Sequence, residues 1–183
     1  MAANPPTPRT SSSAKPKSSD FVVKHAPEIK DRIVLVTGVS PGGLGAIFVE
    51  RLSTCPTPPR RIILAGRSPA KFEEIKAKVE QNGIEAKVLA LDLASFKSVR
   101  QAAEVVNGWD EGVDVLVNNA GIMAVPFTKT EDGYESQLQA NHMGHFLFTG
   151  LIMDQLLKRE NGRVVNVSSE RAGEMRQPTE RGS

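Results

Sequence analysis

An apolar run, Ile33-Val34-Leu35-Val36, leads directly into Thr37-Gly38-Val39-Ser40-Pro41-Gly42-Gly43-Leu44-Gly45, and a helical apolar pattern of Ala46, Ile47, Val49 and Leu52 follows. This glycine cluster between a strand and a helix restricts the fold more than any other feature of the chain. Glycine lets a backbone turn tightly and approach a neighbour closely, and a helix opening at that point presents unpaired N–H groups to an anion. The frame predicts a pyrophosphate cradle made by Thr37, Gly38, Ser40, Gly43, Leu44 and Gly45, with the Ser40 hydroxyl as a further donor. Glycines alone are a weak signal, since any tight turn from strand to helix uses them. Their place within a strand-turn-helix frame strengthens it.

The same alternation continues down the chain. Strand-like runs at 33–36, 62–64, 88–91, 113–117 and 164–165 are mostly continuous in apolar residues, the pattern of strands covered on both faces. Between them, Phe72, Ile75 and Val79 recur on one helical face, and Val99, Ala102, Ala103 and Val106 on another. Ser68 and Pro69 read as an N-cap and first helical residue, Ser95 as a second N-cap, and Gly83 as a helix stop. The expected fold is α/β, a Rossmann-type doubly wound parallel sheet of about five strands with right-handed crossovers, over residues 31–170. Residues 1–24, rich in Pro, Ser and Lys, read as a disordered tail, 53–60 as a proline-rich surface loop, and 171–183 as a polar tail.

Composition narrows the function classes. With 39% hydrophobic and 24% charged residues the chain suits one soluble core, and a net charge of +2 without interleaved basic and aromatic residues argues against a nucleic-acid partner. Cys55 is the single cysteine, so an internal disulfide and a cysteine-based zinc site are both out of reach. A buried, inert thiol is expected there. The apolar run 146–157 is broken by Asp154 and Gln155 and is too short for a bilayer core of about 30 Å, so no membrane span is expected. The expected compartment is the cytoplasm. Arg9, Lys15 and Lys17 in an acid-free stretch leave organellar import as the alternative.

Folds of this kind that take NAD usually place an acid at the end of the second strand, where it accepts from the adenosine ribose. This chain has Leu64-Ala65-Gly66-Arg67-Ser68. A guanidinium in place of the acid is a bidentate donor suited to a 2'-phosphate, which favours NADP over NAD. An ordinary exposed arginine at a strand end is the plain alternative.

Asp92-Leu93, Asn118-Asn119-Ala120-Gly121, Asn141-His142-Met143-Gly144-His145-Phe146 and Asn166-Val167-Ser168-Ser169 follow in order, with Glu131-Asp132-Gly133-Tyr134-Glu135 leading into Asn141. Over residues 31–169 this resembles the short-chain dehydrogenase/reductase family, in particular its retinol-dehydrogenase-like branch. The resemblance implies an NADP(H)-dependent oxidoreductase that interconverts a small-molecule carbonyl and alcohol, possible as a homo-oligomer. It further implies that Asp92 and Leu93 contact adenine and that Asn119, Ala120 and Gly121 line the ribose and nicotinamide side. Asn141 would be the helix-breaking asparagine of a proton relay, and Ser169 the serine that donates to the substrate oxygen.

Two departures stand out. Gly38, Gly43 and Gly45 match the family spacing only with one extra residue within 39–42. The family also carries a Tyr-x-x-x-Lys helix beyond the serine, whereas the sole tyrosine here, Tyr134, precedes Asn141 and reads as a packing residue. The expectation is an N-terminal portion with little activity alone, its sheet ending in an open edge. The alternative is a non-catalytic dinucleotide-binding module or an unstable fragment of a truncated gene. His142 and His145 read as structural, with no metal site, and Phe146, Leu147, Leu151 and Ile152 as an apolar stripe packed on the core or on a second subunit.

Overall fold

A computed structural model describes residues 18–169; the readings made for 1–17 and for 170–183 lie outside them. Five parallel strands form one sheet in the order β3-β2-β1-β4-β5. They are β1 (Ile33–Thr37), β2 (Arg61–Gly66), β3 (Glu85–Ala90), β4 (Val115–Asn118) and β5 (Arg163–Asn166). The helices are α1 (Ser18–Ile29), α2 (Leu44–Ser53), α3 (Glu73–Gln81), α4 (Phe96–Asn107), α5 (Ser136–Leu138), α6 (Gly144–Leu151) and α7 (Met153–Leu157). The expected Rossmann-type sheet is therefore present, with its strand order reversing direction between β1 and β4.

Alternation along the central strand builds a core on each face. Ile33 and Leu35 join Val99, Ala102, Ala103 and Val106 of α4 and Phe148 of α6, while Val34 and Val36 join Val49 and Leu52 of α2 and Ile75 and Val79 of α3. All of these side chains are buried. Each large one contributes about 1.5–3 kcal/mol relative to exposure. Both helical faces read from the sequence are thus the packed faces.

One buried charge ties the start of the sheet together. Asp114, 0% exposed, accepts from Ile33 N–H at 2.8 Å, Arg32 Nη1 at 3.0 Å and Arg159 Nε at 2.8 Å. Burial pushes its carboxyl up, but these donors outweigh that and hold it below the ordinary carboxylate value. The clamp joins the entries of β1 and β4 to the end of α7.

Several boundaries differ from expectation, each for a physical reason. β3 starts at Glu85 rather than Val88 and ends before Leu91, because this edge strand turns Glu85 and Lys87 to solvent and so lacks an apolar run at its start. Val113 and Asp114 precede β4, the aspartate being engaged in the clamp. The stretch read as a tail to residue 24 becomes helical at Ser18, and α1 buries Ala26 and packs Ile29 against the α2–α3 core. Ser68 makes no side-chain capping bond, and Pro69–Phe72 is a 3₁₀ turn ahead of α3. Ser95 does cap α4, accepting from Ser98 N–H at 3.4 Å. Gly83 stops α3 with φ +79°.

Cys55 is buried, which pushes its thiol pKa up. The apolar stripe divides: Ile152 is buried and Leu147 packs on the core, whereas Phe146 is 77% exposed and Leu151 38%. At the other sheet edge, β5 pairs with β4 and exposes Val164 and Val165. No helix among the described residues is long and apolar enough to cross a membrane.

Candidate functional site

Two left-handed glycines shape the turn after β1. Gly38 has φ +73°, and a Cβ there would stand 2.5 Å from Ala120 Cα, so the exits of β1 and β4 touch backbone to backbone. Gly42 has φ +76° with open space around it, and Gly43 N–H donates to Ser40 O at 2.9 Å. Pro41 and Gly42 thus occupy the centre of a tight turn whose second position calls for glycine. That turn absorbs the extra residue in the glycine spacing, and α2 still opens directly after Gly43. Gly45 packs beneath, where a Cβ would meet Gly38 O at 2.5 Å and Asn119 Nδ2 at 2.6 Å. The first turn of α2 holds no acid and its N-terminus has no side-chain cap, so an anion there meets no competing carboxylate.

The neighbouring strand exits close around this turn. Asn119 Nδ2 donates to Thr37 O at 2.9 Å and to Gly38 O at 3.2 Å, tying β4 to β1. Asp92 folds its own loop: Oδ1 accepts from Ala94 N–H at 2.9 Å, and its N–H donates to Ser98 Oγ at 2.9 Å. The result is a cleft of about 390 Å³ at the carboxyl ends of the strands. It is lined by Thr37, Gly38, Ser40, Gly43 and Leu44 from the first turn, by Arg67 after β2, by Asp92 and Leu93 after β3, and by Asn119, Ala120 and Gly121 after β4. Every cradle residue read from the sequence lines it except Gly45, which supports it from below. This is the position at which open α/β sheets take ligands, outside the strand ends where the strand order reverses.

Thr37 lines the cleft and also ties the strand exits together behind it. It is fully buried, and its Oγ1 accepts from Asn119 N–H and Ala120 N–H, both at 3.0 Å. Sequence reasoning missed Ser68 and Lys71, which share the cleft with Arg67, and Ile122 and Ala140, which close its far side. The lysine was detectable in principle, standing four residues after the arginine.

Asn141 lies in a π-helical segment, Gln139–Met143, with Gly144 N–H donating to Gln139 O. Such segments are rare and recur at functional sites. Its side chain pairs with one residue of the cleft wall: Oδ1 accepts from Ile122 N–H and Nδ2 donates to Ile122 O, both at 2.8 Å. A second hollow of about 380 Å³ lies beside it, bounded by Asn118, Asn141, His142, Thr149, Asn166 and Ser168. Ser169, exposed just past β5, is not among its lining residues. His145 is buried, and burial lowers its pKa against the raising effect of its bond to Asn141 O. Tyr134 is half exposed and its ring lies 5.7 Å from that of Phe96. No group of three His, Cys, Asp or Glu among the described residues is arranged to hold a metal ion.

A model of the family described as short chain dehydrogenase matches residues 32–180. The chain belongs to the short-chain dehydrogenase family. Among its relatives in that family, the chain is 39% identical to oxidoreductase fscI of Fusarium equiseti over 160 residues, covering 84% of this chain and 61% of the relative. It is 40% identical to human retinol dehydrogenase 13 over 146 residues, covering 77% of this chain and 42% of the relative. Its kinship is thus with the retinol-dehydrogenase-like branch, and the chain spans only part of the length of these curated relatives. A solved structure of NAD+-bound xylitol dehydrogenase is 26% identical, with a TM-score of 0.60 over 78% of this chain and 54% of that one.

Proposed function

We propose that this short-chain dehydrogenase chain binds NADP(H) in the 390 Å³ cleft and forms the cofactor-binding part of an oxidoreductase that interconverts a small carbonyl compound and its alcohol. The observation that carries the reading is the convergence of the glycine turn, Arg67, the Asp92 loop and residues 119–121 on one cleft. The residues suit a dinucleotide: the close packing at Gly38 and Gly45 brings bare backbone to the uncapped start of α2, where a diphosphate is favoured. Bound NADP(H) supplies the hydride chemistry. The chain supplies position: Arg67 holds the 2'-phosphate, Asp92 and Leu93 the adenine, and Asn119, Ala120 and Gly121 the ribose and nicotinamide side. Ser169 donates to the substrate oxygen, and Asn141 belongs to the proton path.

The NAD+-bound relative supports a nicotinamide dinucleotide. Arg67, with no acid at the β2 exit, directs the choice to NADP. Calorimetry of the purified chain with NADPH and NADH tests this. A charge-assisted contact is worth about 1.5–3 kcal/mol, so NADPH should bind about 10- to 100-fold more tightly, and Arg67→Ala should remove most of that difference. Equal affinities would overturn it.

A further inference from the structure

The hydroxyl of Thr37 has one proton and two lone pairs. Both lone pairs are taken, by the N–H groups of Asn119 and Ala120 at 3.0 Å. Its proton therefore goes outward, and the nearest acceptor is His145 Nε2 at 3.0 Å, ahead of Val117 O at 3.4 Å. A proton on Nε2 would make that nitrogen a third donor aimed at an oxygen already saturated. Nε2 is thus bare, and the ring proton sits on Nδ1, which donates to Asn141 O at 3.3 Å. Asn141 in turn grips Ile122 through both ends of its side-chain amide.

These bonds close a ring. Residues 119–122, which form the β4 wall of the cleft, are held at one end by Thr37 and at the other by Asn141, and His145 is the side chain that joins the two anchors. Thr37 and Asn141 come from β1 and from the π segment, which meet in this ring only through the imidazole. With Thr37 at 0% and His145 at 7% exposure, water cannot readily stand in for it.

We propose that His145, as the neutral Nδ1–H tautomer, is a positioning residue that fixes the 119–122 wall of the cleft by locking the hydroxyl of Thr37 to the backbone of Asn141. The proposal rests on the dinucleotide reading for its consequence, looser cofactor binding, but not for its geometry.

The test uses the uniformly ¹⁵N-labelled chain. Long-range ¹H–¹⁵N correlation spectra should show His145 with a protonated Nδ1 and a bare Nε2. His145→Leu should accelerate amide exchange at Asn119, Ala120 and Ile122 while leaving Val34, Leu35 and Val36 protected, and should weaken NADPH binding about tenfold, the worth of one buried hydrogen bond. His145→Gln, whose amide oxygen can accept from Thr37, should recover most of that loss. A proton on Nε2, or unchanged exchange and affinity in His145→Leu, would overturn the proposal. If His145→Leu does not fold, the tautomer of the wild-type ring and His145→Gln still decide. Wild-type protein that shows the expected tautomer and exchange pattern but no NADPH binding would refute the dinucleotide reading and leave the ring standing.

Discussion

Gly38 and Gly42 offer a controlled comparison, because their backbones are alike and their surroundings are not. Both have left-handed φ, +73° and +76°. An alanine at either pays for that conformation by about 1–2 kcal/mol, partly offset by about 0.4–1 kcal/mol from a less flexible unfolded chain. At Gly42, with nothing within 4 Å of the new Cβ, the net cost should stay at about 1.6 kcal/mol or less. At Gly38 the Cβ would lie 2.5 Å from Ala120 Cα and 3.0 Å from Ala120 N. Those are backbone atoms that rotamer changes cannot move, so overpacking adds about 1–3 kcal/mol. The β1 and β4 exits must also part, which opens the cleft. Urea unfolding should therefore place Gly38→Ala about 2–4 kcal/mol below wild type, and calorimetry should show NADPH binding lost. Gly42→Ala should retain binding within a few-fold. Equal destabilisation of the two variants, or wild-type NADPH affinity in Gly38→Ala, would refute the claim that close approach to Ala120 shapes the cleft.

Thr37→Val keeps the shape of the side chain but strands the N–H groups of Asn119 and Ala120; at about 1–3 kcal/mol for each unsatisfied donor, and with both only partly buried, a loss of about 2–3 kcal/mol is expected in urea unfolding. Asp114→Asn breaks a buried carboxylate from two arginines that are themselves partly exposed, so about 2–3 kcal/mol should be lost at pH 7, below the usual range for a fully buried pair. Because the folded carboxyl lies below its ordinary value of 3.8, its contribution is complete above that pH and is lost as pH falls through the folded value. Stability curves of wild type and Asp114→Asn should converge in acid. His145 behaves in the same direction: burial holds its folded pKa below 6.5, so the neutral ring contributes fully above pH 6.5 and less as pH falls through the folded value. His145→Gln should lack that component of acid sensitivity.

The central sheet was legible because strands covered on both faces must be apolar throughout, as 33–36 and 62–64 are, and because crossover helices must repeat their apolar residues at helical spacing. The edge strand β3 was not, since Glu85 and Lys87 face water and erase the run at its start. Within the cleft, the glycine turn, Arg67, Asp92-Leu93 and residues 119–121 were readable because each strand ends on its own short motif, whereas Ser68 and Lys71 were not. What the sequence concealed is the wiring behind that surface. Thr37 and His145 are 108 positions apart, and no local pattern records which way a hydroxyl proton points. The π segment at Asn141 carries no composition of its own either, and only the resemblance, which implied a helix-breaking asparagine there, pointed to it. Lys71 escaped notice because a 3₁₀ turn, rather than the expected helix, sets it beside the cleft.

Hydrogen exchange read by mass spectrometry with and without saturating NADPH tests most directly where the dinucleotide lies. Protection should appear in peptides covering 38–45, 92–94 and 119–122, and exceed any change in the hollow bounded by Thr149 and Asn166. Protection confined to that hollow, or none in the glycine turn, would contradict the assignment of the cleft.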